Sequence, residues 1–205
     1  MKKLITLLFS LFVLTSYGQA PSYQQAIEKH RDDYKGEFLH DPRSPITASD
    51  FKDIHFFNPD SSFRVVADFK PLENQTSFRM PTYDGSAKEY IRYGVASFKL
   101  NGKPLQLTIY RSIQLMANED YKDYLFLPFT DQTNGEQTYG GGRYIDLRTS
   151  AIEGNKVLID FNKAYNPYCA YSSGYSCPVP PEENDLAAAI TAGEKNFTGA
   201  KKKRK

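Results

Sequence analysis

The sequence predicts a mainly β, β-rich α+β domain: an antiparallel meander or barrel with a short helix near each end. Three observations predict it. From Phe63 onward the chain breaks into short apolar-rich runs bounded by Gly, Asn, Asp and Pro, as antiparallel strands at regular spacing require. Asn101-Gly102 supplies the two positive-φ positions of a two-residue hairpin turn. The 15 Tyr and 14 Phe, with no Trp, suit sheet faces, where a tyrosine ring packs on the pleat and keeps its hydroxyl wet.

Taken in order, residues 22–35 place Ser22 as a helix N-cap, Tyr23, Ala26, Ile27 and Tyr34 at helical spacing, and Gly36 as the stop. The stretch from His40 to Phe51 carries Pro42 and Pro45 and reads as a connector with one helical turn after Thr47. Strands are expected at Phe63–Phe69, Thr76–Met80, Tyr90–Leu100, Lys103–Ser112, Tyr124–Pro128, Tyr144–Arg148 and Lys156–Asp160. Leu105, Leu107 and Ile109 alternate with Gln106, Thr108 and Tyr110, which predicts one buried and one more polar face. After Asn162 the chain is rich in Pro, Tyr, Ser and Cys. A second helix is expected over 182–192, stopping at Gly193. No internal repeat is visible.

Residues 1–20 read as a secretory signal: Lys2 and Lys3, an apolar run from Leu4 to Leu14, then small and turn residues ending in cleavage after Gly18 or Ala20. The run is shorter than the roughly 20 residues of a membrane span. Export to the periplasm or the extracellular space is therefore expected, with residues 21–196 forming a single domain and 197–205 a disordered basic tail. Of the 26 basic residues, two fall in the signal and five in Lys201–Lys205, leaving the body 19 against 24 acidic residues. That balance argues against nucleic acid as a partner. The terminal run is either a solvated tail or a contact for an anionic envelope surface.

The most unusual residues lie between Phe126 and Lys195. Phe129–Leu147 includes Thr138-Tyr139-Gly140-Gly141-Gly142-Arg143; Asp160–Tyr171 reads Asp-Phe-Asn-Lys-Ala-Tyr-Asn-Pro-Tyr-Cys-Ala-Tyr; and Cys177–Asn184 reads Cys-Pro-Val-Pro-Pro-Glu-Glu-Asn. In these phrases the chain resembles an uncharacterised bacterial family, domain of unknown function 1684. The resemblance implies no established activity. It also implies that this chain is a short, exported version of proteins that carry a longer N-terminal part.

Read physically, the three glycines form either a wide turn or a backbone-lined pocket floor around Gly141, with Arg143 as a fork for a carboxylate or phosphate and Tyr139 beside it. The carboxylates Glu136, Asp146 and Asp160 are candidates for acid/base work, beside the plainer readings of solvation and of ion pairs with Arg143 or Lys163. Asn162, Tyr165 and Asn166 either cap a strand-end loop or supply the polar lining of a pocket. Cys169 and Cys177, eight positions apart across a flexible loop, favour a disulfide over free thiols or half of a metal site. No metal set and no cofactor fingerprint is present: His30, His40 and His55 have no ligand spacing, and neither a C-x-x-C nor a Gly-x-Ser-x-Gly occurs.

Three functions follow. The first is a binding module whose mouth, at 131–143 and 160–177, holds a small polar or sugar-like ligand against tyrosines. The second is a hydrolase or lyase using the carboxylates with Arg143. The third is a structural or interaction protein of the cell envelope.

Overall fold

Ser22 starts the first element through a reciprocal cap. Its hydroxyl accepts from the Gln25 N–H at 3.3 Å, and the Gln25 side chain accepts from the Ser22 N–H at 2.8 Å. The computed structural model describes residues 21–203, so the signal sequence and its cleavage lie outside the described residues. Helix α1 runs Tyr23–His40, straight through Gly36. A helix-interior glycine costs about 1 kcal/mol, and burial of Phe38 against Tyr171 and Phe51 in the next turn outweighs it. The helix stops at Asp41, which Pro42 excludes from the α region.

The nine-stranded sheet has the order β10-β5-β4-β3-β1-β8-β7, with β2 added beside β3 and β6 beside β5. Its strands are β1 Arg64–Pro71, β2 Phe78–Pro81, β3 Ala87–Leu100, β4 Lys103–Ser112, β5 Tyr124–Asp131, β6 Arg143–Arg148, β7 Ile152–Glu153, β8 Lys156–Asp160 and β10 Asp185–Leu186. All pairings within it are antiparallel except β10 with β5. The seven expected strands are present. The predicted hairpin forms with Leu100 opposite Lys103, Asn101 at φ 50° and Gly102 at φ 79°. The sheet is open, so the meander and not the barrel is realised.

The sheet buries both faces. On one, Leu107, Ile109, Leu125, Leu127 and Ile145 join the main core. On the other, Met80, Tyr90, Tyr110, Phe126 and Tyr144 form a second, aromatic cluster. The more polar face expected of β4 is therefore covered as well, with Tyr110 fully buried.

The expected helix over 182–192 is instead a single 3-10 turn, Glu182–Asn184, followed by β10 and an extended strap. From Asp185 to Ala192, residues alternate strictly between exposed and buried, with Leu186, Ala188, Ile190 and Ala192 inward. Alanine occurs on both phases of Leu-Ala-Ala-Ala-Ile, so the period of two is invisible in the sequence and high helix propensity misleads. Backbone groups that a helix would satisfy internally are used elsewhere. The Ile190 N–H donates to Asp131, and the carbonyls of Ile190, Ala192 and Glu194 accept from Arg143. Gly193 ends the strap at φ 79°, where a Cβ would lie 2.7 Å from the carbonyl oxygens of Phe161 and Ala164.

Nor is the chain beyond Asn196 free. Phe197 packs edge-on against Tyr171 at 5.1 Å, the Thr198 N–H donates to the Asp53 carbonyl, and Lys202 pairs with Asp50. Strand β11, Lys202–Lys203, lies parallel to β9, Ser172–Ser173. The disordered tail expected from 197 is thus an ordered segment as far as Lys203, because an aromatic anchor precedes the lysines and acidic Asp50 faces them.

Candidate functional site

Asp146 lies in mid-β6, where the pleat turns Ile145 and Leu147 into the main core and Asp146 to the other face. Tyr124 on β5 and Tyr165, in the segment bridged to β6 through Tyr144, both donate to its Oδ1 at 2.7 Å. Its Oδ2 has no hydrogen-bond partner among the described residues. Asp146 is open to a cavity, and desolvation by the surrounding walls raises its carboxyl above the ordinary value, against the two tyrosine bonds and Arg148, which pull it down. The same environment holds the Tyr124 and Tyr165 hydroxyls well above theirs.

Asp146 opens into a cavity of about 640 Å³ between α1, the sheet and residues 163–178. One wall is an α1 stripe, His30, Asp33, Tyr34 and Glu37, at the one-face spacing of a helix. The lining also carries Lys88 of β3 and Arg43 from the connector. Tyr168 and Tyr175 form an aromatic rim, their rings edge to face at 5.3 Å. The cavity is therefore tyrosine-lined with charges of both signs. Glu37 is also pushed up, by burial and then by the facing charges of Asp146 and Asp33. Burial and the nearby Lys163 depress His30.

Cys169 and Cys177 form a disulfide with Cα atoms 6.3 Å apart, closing the loop that carries Tyr175. Cys177 lines the cavity, and its carbonyl accepts from the Tyr83 N–H at 3.0 Å. A double alanine variant at Cys169 and Cys177 is expected to lose about 2–3 kcal/mol, the entropy of a closed loop this short. Urea unfolding of the variant beside the parent measures that loss, and an unchanged midpoint would contradict it.

Of the residues expected to form the site, the cavity gathers only Asp146 and Tyr165. Arg143 is fully buried beneath the sheet, bonded to Asp131 and the strap carbonyls, and cannot serve as an anion fork. Asp160 accepts from Tyr23 and from Asn162, whose side chain also bonds Asp60. Asn166 is buried, its N–H donating to Glu194 and its amide to the Lys195 carbonyl. Asn162 and Asn166 are thus loop braces and not pocket lining. The glycine run is a turn: Gly142 sits at φ 83° with its Cβ position 2.6 Å from the Phe129 carbonyl, and the Gly141 carbonyl accepts from Tyr83. Tyr139 packs against Tyr83, and Glu136 is exposed in the same turn. The mouth thus uses the 163–178 half of the expected loops and takes α1 in place of 131–143. Sequence reading missed Glu37, Lys88 and the α1 stripe. Their spacing was legible, but the direction the helix faces was not.

A family model described as a protein of unknown function, DUF1684, matches residues 49–195. The chain belongs to this family. A family match over this span includes the Asp146 floor and the disulfide segment, while the α1 wall precedes it. An uncharacterised protein of Haloarcula marismortui, solved in solution by NMR, is similar in fold. It shares 35% identity at a TM-score of 0.64, over 84% of this chain and 96% of its own. No curated protein matches the chain. Among the described residues no helix is long and apolar enough to cross a membrane. Nor is any group of three His, Cys, Asp or Glu side chains placed to hold a metal.

Proposed function

We propose that this DUF1684 protein is an exported binding module that holds a small polar ligand against the tyrosines of the α1 cavity. The observation that carries the reading is Asp146: one carboxylate oxygen is fixed by two tyrosine hydroxyls, and the other is left for an occupant of a cavity of about 640 Å³. Cavities of roughly 300–1,000 Å³ with a few oriented polar groups are the usual small-molecule sites. The signal-like residues 1–20 and the disulfide support export.

The hydrolytic alternative loses its set, since Glu136, Asp160 and Arg143 all lie outside the cavity. An envelope-contact role rests on the terminal lysines alone, and Lys202 already has an acidic partner.

Native mass spectrometry of the protein purified from its exporting host, beside Asp146→Asn, tests the binding reading. The parent is expected to carry a discrete extra mass that denaturation removes, and the variant to retain at most about a tenth of that occupancy, as loss of a bond to a charged acceptor implies. A bare parent chain would overturn the reading.

A further inference from the structure

The cavity holds opposite charges that do not neutralise one another. Glu37, Lys88 and Lys163 all line it, and among the described residues none of the three forms an ion pair. Long charged side chains within reach of an opposite charge normally close on it. These are held apart on different elements, with Glu37 on α1, Lys88 on β3 and Lys163 after β8.

The charges are also sorted. Asp146, Glu37 and Asp33 are near enough to raise Glu37 together, which marks one acidic region. On β3, Lys88 lines the same cavity half-buried, and burial holds it below its ordinary value, with Asp84 acting against this and Arg43 adding to it. Part of each region is already paired, Asp33 with Lys29 and Arg43 with Asp41, which leaves Asp146 and Glu37 on the acidic side and Lys88 on the cationic side. Asp84 is held by the hydroxyls of Thr82, Ser86 and Ser176 and makes no ion pair with Lys88. His30 and Lys163 line the cavity as well.

A neutral occupant could hydrogen-bond to both regions but would leave their buried charge uncompensated. An occupant of one sign would meet repulsion from one of them. Tyrosine faces between the regions suit an ammonium group and an aliphatic spacer equally.

We propose that the ligand is a small zwitterion of the amino acid or short-peptide class. Its ammonium group lies against Asp146 and Glu37, and its carboxylate lies against Lys88. This rests on the binding reading above and specifies its chemistry.

Isothermal titration calorimetry of the purified, dialysed protein tests it, with glycine, dialanine and trialanine as zwitterions of graded length. N-acetyl-dialanine and dialanine amide each lack one charge, and maltotriose is a neutral ligand of comparable bulk. At least one zwitterion is expected to bind, and removing either of its charges to weaken binding tenfold or more. Lys88→Gln is expected to weaken the free peptide tenfold while leaving the amide unchanged, a split that general loss of structure would not produce. Capped peptides binding as tightly as the free one would overturn the proposal. So would silence from all three zwitterions. Maltotriose binding that Asp146→Asn abolishes, with the zwitterions silent, would overturn the zwitterion and leave the binding module standing.

Discussion

Arg143→Leu is expected to cost about 3–5 kcal/mol, a large part of the roughly 5–15 kcal/mol by which a domain is stable. The guanidinium is completely buried. Its Nη2 donates to Asp131 Oδ2 and to the Ile190 carbonyl, both at 2.8 Å, while Nη1 donates to the carbonyls of Ala192 and Glu194. Leucine would fill part of the volume but strand a buried carboxylate and three carbonyls together. Asp131 retains only the Thr133 and Ile190 donors on its other oxygen. Lysine should not rescue the loss, because one ammonium cannot reproduce a planar fork that meets a strap and a strand at once. Asp131→Asn should cost a comparable amount, since it leaves the buried guanidinium uncompensated and turns an amide NH2 toward groups that themselves donate. Urea unfolding followed by far-ultraviolet circular dichroism measures the series, and an Arg143→Leu loss below about 1 kcal/mol would contradict the buried-pair account.

The second large effect is a pH dependence carried by Glu194. This side chain is fully buried and accepts from Tyr171 at 2.5 Å, from Tyr34 at 3.0 Å and from the Asn166 N–H at 2.9 Å. Burial nonetheless pushes it up from 4.5 to about 7. Between those values the folded chain holds a proton that the unfolded chain has released, so the stability contributed by this group falls as pH rises through the window. Below the unfolded value the contribution is complete, and by pH 8 it has been lost. Asp146 and Glu37, also raised, add to the trend with the same sign.

Glu194→Gln removes the titration while fitting the network: its amide nitrogen can donate to Tyr171, Tyr171 to Tyr34, and Tyr34 to the remaining oxygen. The stability difference between variant and parent is expected to move by about 2–3 kcal/mol in the variant's favour between pH 5 and pH 8. Unfolding curves at both values read it directly, and a difference independent of pH would refute the assignment. Because Tyr34 also lines the cavity, ligand affinity should be followed in the same variant.

Legibility of the fold followed the range of the interactions. Strand positions were readable because turns are local: Asn101-Gly102 needs no distant partner to reverse the chain. The strap failed for the opposite reason. Its conformation is set by Arg143 and Asp131, which lie far back along the chain and supply hydrogen bonds stronger than the helical preference of three alanines. The candidate site divided in the same way. Asp146 and Tyr165 were recognisable as polar groups at strand and loop positions, and the cysteine pair by its spacing. Arg143 appeared to be a ligand fork because sequence does not reveal which face of the sheet a strand's first residue enters.

The sequence by itself therefore determined the strand set, the principal hairpin, the cysteine pair and membership of DUF1684, all of which depend on neighbouring residues or contiguous motifs. Only the tertiary structure decided that α1 turns its polar stripe toward β6, that Arg143 is internal, and that Glu37, Lys88 and Lys163 line one cavity without pairing. Those outcomes depend on packing between segments distant along the chain, where burial and desolvation, and not local conformational preference, set the free energy.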